Sequence, residues 1–193
     1  MTNIEEIYKH FCETPSDINE HLSVLRHYAE NCDHVTEMGV RGIVSTFAFV
    51  SAKPKIIRAI DLYHPSNWNG EDRLNYIENY CKENNIDFRF ILGDTLEIEI
   101  EPTDFLFIDT LHTYEQLKTE LEKHGNKANK YIGFHDTTLF ANEDEHNSYT
   151  NKIMTGNIKG LWPAIESFIL NNPHWSVLER RTNNNGLTIL ERK

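Results

Sequence analysis

Four residues, Asp109, His112, His135 and Asp136, have the types and spacing to do chemistry. They follow two short apolar runs: Phe105 to Ile108 ends on Asp109, and Tyr131 to Phe134 delivers His135-Asp136. Short runs without alternation are what strands covered on both faces look like. If the two strands are parallel and adjacent, the four side chains converge at one sheet edge, where an open α/β sheet places its ligands. Carboxylates and imidazoles meeting there could bind a divalent cation or move a proton. The same residues, taken singly, could simply cap helices and tie down loops.

The segment between these strands predicts a helix. It opens at Thr113-Tyr114-Glu115-Gln116, a capping box in which Thr113 and Gln116 satisfy exposed amides reciprocally. Tyr114, Leu117 and Leu121 form its apolar face, Lys123 and His124 suit the negative end of its dipole, and Gly125-Asn126 supplies a left-handed exit.

Upstream, Ile4, Ile7, Tyr8 and Phe11 recur at helical spacing before Thr14-Pro15. Asp17 with Glu20 can cap a second helix striped by Ile18, Leu22, Leu25 and Ala29. This pair, residues 1–30, is expected to form a lid, a dimer surface, or plain packing against a sheet domain over 31–193. His34 to Met38 reads as a strand that turns at Gly39 and Gly42 into a helix beginning near Ser45. A dinucleotide fingerprint would need glycine at 41 and 44, where the chain has Arg41 and Val44, so a nicotinamide site is not supported. A second strand, Lys55 to Ile60, ends at Asp61, where a carboxylate can accept two hydrogen bonds from a ribose diol. After a loop carrying Trp68 and a helix using Leu74, Ile77 and Cys81, a third strand, Phe88 to Leu92, meets Gly93-Asp94. Residues 96–101 alternate with period two, a half-exposed edge pattern without assigned chemistry.

From Leu139 to Gly160 the chain is polar and acidic without periodicity, and its place directly after Asp136 suits an acceptor-binding lid or a surface loop. Gly160-Leu161-Trp162-Pro163 opens a last helix with Leu161, Ile165, Phe168 and Ile169 facing the core. Trp175 to Arg181, Asn183-Asn184-Asn185-Gly186 and Leu187 to Leu190 form a terminal hairpin.

Glu37-x-Gly39 followed by Ser45-Thr46 resembles the first motif of class I S-adenosylmethionine-dependent methyltransferases, closest to the branch of sugar O-methyltransferases and cephalosporin-hydroxylase-like proteins. Phe107-Ile108-Asp109-x-x-His112-x-Tyr114-Glu115 and Phe134-His135-Asp136-Thr137 resemble later motifs of that branch, and the terminal hairpin fits its fold. The resemblance spans roughly residues 30–193. It implies a Rossmann-like three-layer sandwich with a mostly parallel seven-stranded sheet and an antiparallel C-terminal hairpin. It also implies an S-adenosylmethionine site at Glu37, Gly39, Arg41, Ser45, Thr46, Asp61, Gly93, Asp94 and Asp109, with Asp61 on the ribose and Asp94 on the adenine amino group. Magnesium, where relatives use it, maps onto Asp109, His135 and Asp136. The chain departs from the branch at Ile43, where glycine is frequent, at Leu111, where a second aspartate is frequent, and at His135, where an acid is frequent. A hard cation prefers oxygen, so a metal-free mechanism with His112 or His135 as base competes with magnesium.

The implied activity is O-methylation of a small hydroxylated acceptor such as a sugar or nucleotide sugar, by an enzyme expected to be a homo-oligomer. The alternatives are a nucleotide-binding module without turnover and a hydroxylase-like metal enzyme on the same scaffold. At 193 residues one domain with a sizeable core is expected, and 39% apolar with 25% charged residues is ordinary for a soluble protein. A net charge of -11 argues against nucleic acid as partner. With no membrane-length apolar run and no signal-like N-terminus, a cytoplasmic protein is expected. Cys12, Cys32 and Cys81 are too few and too scattered for a disulfide framework or a zinc site, and read as reduced packing residues.

Overall fold

The computed structural model describes residues 3–146 and 159–193. Among them the helices are α1 (Ile4–Glu13), α2 (Leu22–Ala29), α3 (Ser45–Ser51), α4 (Glu71–Glu83), α5 (Tyr114–His124) and α6 (Leu161–Asn171). The strands are β1 (His34–Met38), β2 (Ile56–Asp61), β3 (Asp87–Leu92), β4 (Thr103–Ile108), β5 (Ala128–His135), β6 (Trp175–Arg181) and β7 (Leu187–Arg192). They form one sheet in the order β3-β2-β1-β4-β5-β7-β6. The first five strands run parallel, and β7 inserts antiparallel between β5 and β6.

Side chains alternate across this sheet and divide the interior into two cores, as a pleated sheet covered on both faces requires. Val35, Ile57, Ala59, Phe105 and Phe107 point into one core with Leu22, Leu25, Phe47 and Leu74 of the flanking helices. Met38, Ile60, Leu106, Ile108, Ile132 and Phe134 point into the other, with Leu117 and Leu121 of α5 and Ile165 and Phe168 of α6. Ile4 of α1 is buried in the first core as well, so both N-terminal helices pack against it. The registers Met38↔Ile60, Met38↔Ile108 and Ile108↔Phe134 end four strands level with one another. Asp61, Gly39, Asp109 and His135, each one residue further on, therefore lie side by side at one sheet edge.

Four local expectations are corrected. Residues 96–101 form a turn, not an edge strand, and Ile98 and Ile100 join the second core; the period of two records inward and outward residues of a crossing loop. Gly125 has φ −54° and begins a 3-10 turn in place of a left-handed exit; what it needs is small size, since a Cβ there would lie 2.6 Å from Phe168. Thr113 caps α5 by accepting from the Gln116 amide, but the Gln116 side chain turns away to Thr95 and Glu120, so the box is half formed. The second helix starts at Leu22 behind a 3-10 turn over Asn19–His21, and Asp17 pairs with Arg41 instead of capping it.

Cys12, Cys32 and Cys81 are free thiols, the last two buried. Among the described residues no helix is long and apolar enough to cross a membrane. Residues 147–158, the greater part of the expected acceptor lid, lie outside the described residues.

Candidate active site

The β1–α3 turn is built for close approach. Gly39 has φ +85°, and a Cβ there would stand 2.0 Å from the Asp109 carbonyl oxygen on β4. Arg41 and Ile43 also take positive φ, 47° and 60°, a strained region for a β-branched residue. Ile43 meets this conformational demand with a fully buried side chain. The turn is held from β2: Asp61 Oδ2 accepts from the amides of Val40 and Arg41, both at 2.8 Å, and Oδ1 accepts from Tyr63 at 2.9 Å.

Glu37 does not reach the cleft. It is fully buried and accepts hydrogen bonds from Ser45 and, at 2.7 Å, from Thr46, pinning the start of α3 to β1. Burial pushes its pKa up to about 8, against the lowering effect of both hydroxyls. A carboxyl whose folded pKa exceeds its unfolded value binds an extra proton when folded, so its contribution to stability is lost as pH rises from about 4.5 toward 8. Glu37→Gln is expected to gain on wild type across that window by up to about 1.4 kcal/mol per pH unit. Urea unfolding of both proteins at pH 5.5, 6.5 and 7.5 checks this, and parallel stability curves would refute it.

A cleft of about 1120 Å³ opens over the strand tips. Of the expected cofactor residues, Gly39, Arg41, Ser45, Asp61, Asp94 and Asp109 line it. Glu37, Thr46 and Gly93 lie outside its lining: the first two are buried beneath the turn, and Gly93 packs against Ile98. Asp136 and His112 complete the floor, and Ser16, Asp17 and Ile18 reach the cleft from the α1–α2 connection.

The acid–histidine cluster converges as its spacing predicts, with the two histidines in different roles. His112 Nε2 lies 2.9 Å from Asp136 Oδ2 and 3.2 Å from Asp109 Oδ1, while Nδ1 lies 2.8 Å from Glu145 Oε2. Phe140 stacks on the imidazole, 4.9 Å between ring centres and 7° from parallel. Burial works against a charge on His112, yet hydrogen bonds to three carboxylates outweigh it and push the pKa up to about 12. His135 lies behind, 2% exposed, with Nδ1 3.3 Å from Asp136 Oδ2 and 3.7 Å from Asp109 Oδ1, and Nε2 3.1 Å from His21. Burial again opposes its charge, and Asp109 and Asp136 overcome it, raising the pKa to about 10. His21 moves the other way, to about 4, through burial and the neighbouring charge of His135. It is thus neutral and accepts the proton that His135 donates.

His135 falls outside the group of side chains that could hold a metal and outside the cleft lining, with Nδ1 beside the two carboxylates and Nε2 engaged by His21, so its expected places as metal ligand and as base pass to the residues that face the cleft. The set whose donor atoms gather within 4.8 Å of one another is Asp109, His112 and Asp136. The set fits a divalent cation. Asp136 Oδ1 is buried without a hydrogen-bond partner among the described residues, and Glu145 on the far nitrogen of His112 is the outer carboxylate that orients metal-binding imidazoles. Asp136 itself stands at φ +58°, a conformation aspartate enters more readily than most residues.

Sequence reasoning missed Glu145, Phe140 and His21. The first two sit in the aperiodic stretch after Asp136, where adjacency to the strand tip was the available signal. Nothing local marked His21, which meets His135 from 114 positions away.

No protein-family model and no curated protein matches the chain. Solved structures do. An O-methyltransferase from Bacillus cereus in complex with SAH superimposes with a TM-score of 0.63 at 13% identity, covering 98% of this chain and 90% of that one. Magnesium protoporphyrin IX methyltransferase from Synechocystis, with SAH bound, gives 0.61 at 12% identity over 98% and 94%. The O-methyltransferase TomG from Streptomyces achromogenes, in complex with SAM, gives 0.57 at 12% identity over 98% and 87%. With its strand order and reversed last hairpin, the chain has the fold of the class I S-adenosylmethionine-dependent methyltransferases.

Proposed function

We propose that the protein transfers the methyl group of S-adenosylmethionine to a hydroxyl of a small acceptor such as a sugar or nucleotide sugar. The observation that carries this reading is that one cleft holds both the Gly39 turn with Asp61 and the Asp109–His112–Asp136 cluster. Cofactor and acceptor would meet there in line, which supplies much of the rate of a displacement.

The acceptor oxygen forms a bond to the methyl carbon as the carbon–sulfur bond breaks, leaving a neutral thioether and a protonated ether. That oxonium is a stronger acid than any carboxylic acid, so a carboxylate of low pKa suffices to receive its proton. Asp109 and Asp136 are such groups. Burial alone would raise them, but the His135 charge and the His112 and His135 hydrogen bonds hold Asp109 below the ordinary carboxylate range, and bonds from both histidines lower Asp136. His112, positively charged between them, keeps the pair ionised and close. Asp109, Asp136 and His112 Nε2, the last on loss of its proton, would hold a magnesium ion, which would supply Lewis acidity to the acceptor hydroxyl. Two carboxylates with one imidazole suit such an oxygen-preferring cation better than the two-histidine, one-carboxylate set of iron oxygenases, which disfavours the hydroxylase reading. The connection carrying Ser16, Asp17 and Ile18, latched to Arg41 through Asp17 at 3.1 Å, acts as the lid over the methionine end. Self-association and a cytoplasmic location belong to the same proposal.

Calorimetric titration with S-adenosylhomocysteine, with magnesium and again with chelator, tests the cofactor. Asp61→Ala is expected to weaken that binding at least about tenfold, because the Val40 and Arg41 amides lose the acceptor that shapes the turn. Unchanged affinity in the variant would remove Asp61 from the site. Labelled cofactor offered with a panel of sugars and nucleotide sugars tests transfer; tight binding with no transfer to any acceptor points to the binding module instead.

A further inference from the structure

We propose that the buried Glu120 sets the hydrogen-bonding polarity of one wall of the cleft, so that this wall selects a 6-aminopurine over a 6-oxopurine nucleoside. The proposal rests on the reading of the cleft as an S-adenosyl site.

Glu120 is fully buried on α5 and touches three residues that line the cleft, Thr95, Thr110 and Gln116. Its Oε1 accepts from Thr95 Oγ1 at 2.6 Å and from Gln116 Nε2 at 2.8 Å, and its Oε2 accepts from Thr110 Oγ1 at 2.9 Å. A hydroxyl has one proton and two lone pairs. With both threonine protons turned inward, only lone pairs remain for the cleft. The Gln116 amide also donates to Thr95 at 3.3 Å, so its two N–H groups are spent within the wall and its carbonyl oxygen is left over. Two threonines and a glutamine thus present acceptors alone. The carboxylate of Asp94, beside Thr95 in the lining, adds to the same polarity.

The wall stands where a purine would reach it. Asp61 pairs in register with Leu92 on β3, and Asp94 and Thr95 follow directly, so a base attached to a ribose at Asp61 extends toward Thr95. An exocyclic amino group offers this wall donors. A 6-oxo group would set lone pair against lone pair, and a site built to hydrogen-bond one group rejects its mismatch strongly because buried partners go unpaired. Glu120 makes no contact with the ligand in this arrangement; it is a positioning residue that acts through three others. Glutamine in its place would offer an N–H2 group, forcing one hydroxyl to turn its proton toward the cleft.

The test is calorimetric titration of wild type, Glu120→Gln and Thr110→Val with S-adenosylhomocysteine and with its deaminated analogue S-inosylhomocysteine, each protein first shown to unfold cooperatively. Wild type is expected to prefer the adenosyl compound by about 100-fold or more, with the ratio falling below about tenfold in Glu120→Gln and falling also in Thr110→Val. A merely structural role would weaken both ligands together and leave the ratio intact. Equal binding of the two ligands by wild type, or an unchanged ratio in the folded variants, overturns the proposal. Binding of neither ligand by wild type overturns instead the cofactor reading beneath it.

Discussion

Gly39→Ala is expected to destabilise the protein by about 3–5 kcal/mol and to abolish binding of S-adenosylhomocysteine. The new Cβ would stand 2.0 Å from the Asp109 carbonyl oxygen and 2.6 Å from its carbon, at a backbone φ of +85° that alanine avoids. Neither side can retreat. The Gly39 amide donates to Ile60 at 2.9 Å and the Asp109 amide to Met38 at 2.8 Å, so moving either strand tip breaks the ladder joining β2, β1 and β4. The obstructing atoms are backbone, which has no alternative rotamer. For a chain of this length the loss corresponds to a fall in Tm of about 10 °C. Thermal unfolding and a titration with S-adenosylhomocysteine check both halves; a variant as stable as wild type with full affinity would show that the two tips do not approach so closely.

Asp109→Asn has the largest expected effect on turnover: a fall in kcat of about a thousandfold, with cofactor affinity changed only several-fold. Asp109, like Asp136, is a carboxylate that both histidines share, 3.2 Å from His112 Nε2 and 3.7 Å from His135 Nδ1. A neutral amide there cannot receive the acceptor proton and leaves His135 with Asp136 as its one carboxylate and His112 with Asp136 and Glu145. Stability follows with a definite sign. A histidine whose folded pKa is raised contributes stability that is complete below its unfolded pKa of about 6.5 and is lost as pH climbs through the folded value. In wild type that loss runs from about 6.5 up to about 10 for His135 and up to about 12 for His112. Removing the Asp109 charge lowers both folded values, so the variant, less stable near pH 6, should stop losing this contribution at a lower pH and show a flatter alkaline profile than wild type. Unfolding midpoints between pH 6 and 10, read beside single-turnover transfer, measure the two effects. Undiminished transfer would take Asp109 out of the chemistry, and identical alkaline profiles would deny the shared-carboxylate geometry.

The order of strands and helices was legible in the sequence because it rests on local periods. Runs such as Phe105 to Ile108 and Tyr131 to Phe134 are apolar throughout since the sheet is covered on both faces, and their ends fall at Asp109 and His135-Asp136. Given parallel neighbours, convergence of those tips follows from register alone. What the period cannot encode is where a side chain turns once its strand has stopped. Glu37 was expected to face the cofactor, yet Ser45 and Thr46 draw it under the turn, and a carboxyl so buried holds its proton near neutral pH. His112 and His135 were equal candidates as base, and His135 alone was mapped onto the metal; only the packed structure sends His112 to the cleft floor and His135 back toward His21. Glu145 meets His112 across 33 positions, and Glu120 gathers Thr95, Thr110 and Gln116 from two loops and its own helix. By itself, then, the sequence determined the scaffold and the place where chemistry gathers, because backbone periodicity and strand register are local. Only tertiary structure decided which atom of each group faces the ligand, because that depends on partners brought together by folding and on the burial that sets their charge.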